Sequence, residues 1–142
     1  MLTAAAAGAL SMPLHAAWAA QPAIEVWKDP SCGCCGEWVR HLEANGFRVK
    51  VNETGNAAAR ARLGIPASLG SCHTATVAGY TIEGHVPADA VRRLLAQRPA
   101  GVIGLAVPGM PLGSPGMESP TPQRYDVLAF DAKGGSRIYE RR

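Results

Sequence analysis

Three of the four cysteines of this 142-residue chain fall within four positions, in Asp29-Pro30-Ser31-Cys32-Gly33-Cys34-Cys35, and the fourth stands in Ser71-Cys72-His73-Thr74. Thiolates attack disulfides and ligate soft metals, and both uses require the ionised sulfur. Cys32 and Cys35 have C-x-x-C spacing, which gives dithiol exchange one sulfur to attack and one to resolve. Such chemistry has no use for an adjacent third thiol. Cys34 therefore favours a metal, provided that the chain folds Cys72 back beside the other three. An all-thiolate donor set suits zinc, iron–sulfur clusters or Cu(I), whereas calcium, magnesium and manganese prefer oxygen. Zinc usually takes a tetrahedron built from two separated ligand pairs, and three crowded sulfurs fit that poorly. Crowding suits bridging thiolates. Cu(I) accepts two or three sulfurs and shares them between ions, so copper is the first choice, with room for more than one ion, and zinc the second. Two other readings stay open: structural disulfides, for which four cysteines allow three pairings, and a purely redox Cys32/Cys35 dithiol.

Other soft or imidazole donors lie nearby in the sequence. His73 adjoins Cys72, but neighbours on a strand face opposite ways, so it joins the site only where the backbone bends. Met110 and Met117 lie in the turn-rich segments Pro108-Gly109-Met110-Pro111 and Gly116-Met117-Glu118. Their thioethers suit Cu(I), although a loop methionine more often fills a gap in a core. His85, just before a helix, reads as a capping or surface histidine, and His41, mid-helix near Arg40 and Glu43, as facing solvent.

The elements that must carry these residues follow from periodicity and turn chemistry. Ala23 to Lys28 alternates as a strand and runs into the Asp29-Pro30-Ser31 turn. A helix follows with Ser31 as N-cap, an apolar stripe of Trp38, Val39 and Leu42, and a stop at Asn45-Gly46. Its first turn holds the cysteines, where unpaired N–H groups and the positive dipole end stabilise a thiolate. Phe47, Val49 and Val51 alternate as a second strand. Asn56 begins a short helix ending at Leu63-Gly64, and Thr74 to Val77 and Thr81 to Glu83 form a hairpin about Ala78-Gly79-Tyr80. Pro87 starts a helix with Val91, Leu94 and Leu95 inward, ended by Pro99. The order β-α-β-α-β-β-α over residues 23–98 is an α/β thioredoxin-like arrangement of glutaredoxin size, in which the loop entering the third strand lies beside the mouth of the first helix. Residues 99–122 read as a loop, and 123–142 as a β-hairpin about Asp131 to Gly135.

Charged residues make up 18% and hydrophobic ones 47% of the chain, with mean hydropathy +0.00, which is globular composition. The formal net charge of +3 comes from scattered basic residues, so nucleic acid has no footprint as a partner. Met1 to Ala19 reads as an export signal closed by the small-x-small Ala17-Trp18-Ala19; no Lys or Arg precedes its apolar stretch, the one departure from that pattern. Cleavage near Ala19 leaves residues 20–142 as a single domain without an integral membrane segment, in an oxidising compartment.

The motifs Asp29-Pro30-Ser31-Cys32-Gly33-Cys34-Cys35, Gly64-Ile65-Pro66, Ser71-Cys72-His73-Thr74-Ala75, Gly79-Tyr80-x-Ile82-Glu83-Gly84-His85-Val86-Pro87, Val107-Pro108-Gly109-Met110-Pro111 and Gly113-Ser114-Pro115-Gly116-Met117-Glu118 occur in this order. Together they resemble domain-of-unknown-function family 411, which includes CopG-like copper-resistance proteins. The resemblance spans Ile24 to about Tyr139. It implies a periplasmic thioredoxin-like domain whose cysteines bind copper, as a cluster or singly, with a role in copper redox conversion. Cys32, Cys34, Cys35 and Cys72 match the family's cysteine motif; His73, Met110 and Met117 match the surrounding pattern. The expected function is Cu(I) binding for copper tolerance or redox handling, with copper ions and a periplasmic copper carrier or redox partner. Its rival is a periplasmic thiol-disulfide oxidoreductase in which Cys32 attacks and Cys35 resolves.

Overall fold

In a computed structural model, residues 21–142 are described; the export signal expected over residues 1–19 lies outside them. Ile24, Val26 and Lys28 are buried while Glu25 and Trp27 are half-buried, the period-two pattern of β1 (Ile24–Lys28). The chain then forms α1 (Gly33–Ala44), β2 (Val49–Asn52), α2 (Ala57–Arg62), a 3-10 turn (Ala67–Leu69), β3 (His73–Val77), β4 (Tyr80–Gly84) and α3 (Ala88–Gln97). This is the expected order for residues 23–98. The β3–β4 turn takes Ala78 and Gly79 at φ 48° and 82°, the left-handed pair that a two-residue hairpin requires. One sheet of seven strands results, in the order β2-β1-β3-β4-β5-β6-β7, with β5 (Gly104–Val107), β6 (Asp126–Phe130) and β7 (Ser136–Arg141) completing it.

Two expectations need correction. Residues 99–122 are not all loop, because β5 lies inside the sheet, parallel to β4 and antiparallel to β6. Its four residues are all buried, so the strand lacks the alternation that marks a half-exposed one. Its leading glycine also reads as a loop residue, yet a Cβ at Gly104 would sit 2.2 Å from the Thr81 carbonyl oxygen and 2.7 Å from the Phe130 ring. The second correction concerns Ser31, which does not cap α1. Cys32 is the N-cap residue, and the Ser31 hydroxyl donates instead to Asp29 Oδ1 at 2.5 Å.

Trp38, Val39 and Leu42 of α1 and Val91 and Leu94 of α3 pack with Ile24, Val26, Ala75, Val77, Ile82, Leu105, Val107, Val127 and Ala129 in one cluster. Ile65, Leu69, Ala106 and Phe130 form a smaller cluster. By strand alternation Ala106 and Phe130 belong to the opposite face from Leu105, Val107 and Ala129. Thr74 and Glu83 are likewise out of phase with Ala75 and Ile82, and they pair directly across β3 and β4. The first helix's mouth and the entry to β3 meet at one end of the sheet, and all four cysteines lie there.

Candidate metal centre

A short turn delivers the first three cysteines. Asp29 Oδ1 accepts the Ser31 N–H at 2.8 Å, and the Cys32 N–H donates to the Asp29 carbonyl at 3.1 Å. The chain therefore enters α1 with Cys32 at its start and Cys34 and Cys35 in its first turn. Cys32 and Cys35 are joined as a disulfide, while Cys34 and Cys72 are free. Cys34 Sγ lies 3.6 Å from Cys32 Sγ and 3.9 Å from Cys72 Sγ. The four sulfurs lie within 4.8 Å of one another. The convergence required of Cys72 is met.

Met110 adds a fifth sulfur, its Sδ 3.9 Å from Cys34 Sγ. It is held there by Gly109, whose N–H donates to the Gly70 carbonyl at 3.1 Å and whose carbonyl accepts the Ser71 hydroxyl at 2.5 Å. Met117 is held through its backbone. Its N–H donates to the Ser114 carbonyl at 2.8 Å and its carbonyl accepts from Gly113 at 2.7 Å, which closes a turn over the site. Among the described residues its sulfur makes no hydrogen-bond contact with the cysteines. Gly116, in the same turn, has φ +89°, and a Cβ there would sit 2.7 Å from the Cys34 carbonyl oxygen. Only glycine lets this turn press on the start of α1.

Cys72 also faces two imidazoles. Its Sγ lies 3.4 Å from His73 Nδ1 and 3.1 Å from His85 Nε2. The other nitrogen of each ring meets a carbonyl, His73 Nε2 at Gly84 (2.9 Å) and His85 Nδ1 at Pro115 (2.7 Å). A carbonyl only accepts, so those nitrogens carry the protons, and both bare lone pairs point at the Cys72 sulfur. Cys72 lies in a bend just before β3, and that bend lets His73 share its side. The Trp38 ring backs His73 at 4.2 Å between centroids, and its Nε1 donates to the Val86 carbonyl at 2.9 Å.

Burial sets the protonation states. It pushes the Cys72 thiol up to about 12, helped by the neighbouring Cys34, and brings His73 down to about 3, helped by His85. His85 is also lowered by burial. Near neutral pH the pocket therefore holds neutral rings and a protonated Cys72, and a cation binding there displaces that proton. The donors are sulfur and imidazole nitrogen, a set that matches a soft or borderline ion. The Cys32–Cys35 bond must be reduced before all four sulfurs can act as thiolates.

His85 is the functional residue that sequence reasoning placed wrongly, as a capping or surface histidine; it is fully buried. Its signal was its setting, since Gly84 on one side and Val86-Pro87 on the other leave it no charged neighbour. His41 is corrected too. It is half-buried, and its Nε2 accepts the Ala88 N–H at 3.0 Å, tying α1 to the start of α3.

A family model described as "Protein of unknown function, DUF411" matches residues 69–117. Two solved structures of copper resistance protein CopG, forms 1 and 2, superpose with TM-scores of 0.80 and share 43% and 44% sequence identity with this chain. Each match covers 86% of this chain and 98% of the other. No curated protein matches the sequence. Among the described residues no helix is long and apolar enough to cross a membrane.

Proposed function

The chain belongs to the DUF411 family of CopG-like copper-resistance proteins, and on that footing we propose that it binds Cu(I) through Cys32, Cys34, Cys35 and Cys72 in the periplasm, for copper tolerance or copper redox handling. One observation carries the reading: four sulfurs from separate parts of the chain meet within 4.8 Å. Thiolates this close bridge ions readily, and Cu(I) accepts low coordination numbers, so a thiolate-bridged cluster is the expected form. Met110 supplies a thioether at the outer edge, and His73 and His85 supply imidazoles behind Cys72. Copper is the cargo, received from or passed to a periplasmic carrier or redox partner. The export signal read over residues 1–19 supports the compartment.

The test is anaerobic titration of the reduced mature protein with Cu(I) against a variant with all four cysteines changed to serine. Copper binding by the native chain and none by the variant supports the reading. Equal uptake by both removes it.

A second reading has its own observation, the Cys32–Cys35 disulfide at the start of α1. A periplasmic thiol-disulfide oxidoreductase would use Cys32 as attacking sulfur and Cys35 as resolving sulfur. Cys34 separates the two readings, because exchange does not need it and a four-sulfur copper site does. Intact copper stoichiometry in Cys34→Ser, with exchange activity retained, favours the oxidoreductase.

A further inference from the structure

Behind the sulfurs lies a charged group that copper ligation leaves unused. Glu83, on β4, has a side chain with no exposure, ion-paired to Arg60 of α2. Its Oε1 accepts the Ser71 N–H at 2.8 Å and Arg60 Nε at 2.9 Å, and its Oε2 accepts the Thr74 hydroxyl at 2.6 Å. Ser71 and Thr74 bracket Cys72 and His73. The carboxylate therefore holds the chain on both sides of the cysteine that must travel furthest to reach the site.

The surrounding groups reinforce this hold. The Ser71 carbonyl accepts from the Arg60 guanidinium and from Asn56 Nδ2, the latter at 3.2 Å, and Asn56 Nδ2 also reaches Thr74 Oγ1 at 3.2 Å. The Ser71 hydroxyl is taken by the Gly109 carbonyl, so the N–H, carbonyl and hydroxyl of this residue are all engaged. Gly84 completes the seat: at φ +73°, a Cβ there would collide with Ser71 Cβ at 2.7 Å. Burying a carboxylate is expensive, and apolar side chains of similar volume often replace buried ion pairs without loss of stability. What an apolar side chain cannot supply is acceptor contacts at fixed points on either side of one bend.

We propose that Glu83 is a positioning residue for the cysteine site: through Ser71 and Thr74 it fixes the bend that presents Cys72 Sγ to Cys34 and to the imidazoles of His73 and His85. The metal consequence rests on the copper reading above, but the geometric claim does not. Arg60 and Asn56 act through the same clamp, which gives the short helix α2 a part in the site that its composition does not announce.

The experiment uses the full mature chain carrying Glu83→Gln, which keeps the volume and removes the charge, and Thr74→Val, which keeps the carboxylate and removes the hydroxyl's contacts with Glu83 Oε2 and Asn56 Nδ2. The first readout needs no metal. Reduced protein is alkylated with iodoacetamide in the presence of a chelator, and modification of each cysteine is followed by peptide mass mapping. The ratio of Cys72 to Cys34 labelling should rise several-fold in both variants while the fold, followed by circular dichroism, persists. A general loosening would raise both rates together. The second readout is Cu(I) affinity by competition with a chromophoric chelator, which should fall by about 10- to 100-fold, as for other groups that orient metal ligands. An unchanged labelling ratio in a folded variant overturns the proposal. Should Glu83→Gln fail to fold, Thr74→Val decides. If the native chain binds no Cu(I), the copper reading fails and the labelling ratio still judges the clamp.

Discussion

At the β1–β3–β4 end of the sheet a buried carboxylate, two buried imidazoles and four sulfurs converge around one bend of the chain. The β6–β7 hairpin at the other end presents Asp126, Glu140 and Arg141 along a ladder with a single shift at Val127/Leu128, and Arg142 follows just beyond β7. Arg142 reaches both carboxylate oxygens of Asp89 at 2.8 Å, and Arg93 pairs with Glu140 at 3.0 Å while lying over the Tyr139 ring. These hairpin charges remain in contact with water, where each pair contributes little. At the cysteine end Glu83, His73 and His85 are fully buried and each has a partner, so losing any one leaves another unpaired in a dry setting. Chemistry belongs where the protein has already removed water and fixed donors; the hairpin completes the sheet and anchors its end to α3.

The sharpest way to break this contrast is Cys34→Ser. Cys34 contacts Cys32, Cys72 and Met110, so its loss should abolish stoichiometric Cu(I) binding in anaerobic titration while thermal unfolding changes little. Trp38→Ala comes next. The ring is fully buried against His73, and its removal should cost about 3–5 kcal/mol in urea unfolding, with His85 losing its support through Val86.

Acid gives a smaller effect at the same end. His73 titrates near 3 in the fold against an ordinary 6.5, so the unfolded chain takes the proton first. The stability contribution is complete above pH 6.5 and is lost as pH falls toward 3, at about 1.4 kcal/mol per pH unit. His85 acts in the same direction. Urea unfolding of the metal-free protein should therefore show a loss of about 1.5 kcal/mol between pH 6.5 and 5 from His73 alone, and a flat profile would mean that the imidazoles are hydrated. The smallest effect is expected from Arg142→Ala, which should cost no more than about 1 kcal/mol and leave copper stoichiometry unchanged. A metal defect in that variant would erase the division between the two ends.

The sequence made the site legible where chemistry and spacing coincide. The Cys32-x-x-Cys35 pair with its extra Cys34 marks a thiol site at a helix mouth, and the β-α-β-α-β-β-α order places the entry to β3 beside it. Both hairpins declare themselves through glycine-bearing turns. Local patterns could not reveal features created by tertiary burial. β5 is buried on both sides and leads with glycine, so it imitates a loop. His85 looks like any polar residue before a helix until Gly84 turns the chain inward and Pro115 accepts its ring N–H. The Glu83 clamp is invisible for a similar reason, since its contacts with Ser71, Thr74 and Arg60 span two strands and a helix. Met110 and Met117 share a motif style, yet the thioether of Met110 reaches Cys34 while Met117 closes the turn from Ser114 through its backbone.

Native mass spectrometry under anaerobic conditions, on protein recovered from copper-grown cells, tests the central claim most directly because it reads metal identity, metal number and cysteine redox state in one spectrum. The expected spectrum shows bound copper with Cys32, Cys34, Cys35 and Cys72 all free of disulfides. Recovery of a metal-free or zinc-loaded chain with Cys32 and Cys35 still joined would contradict it.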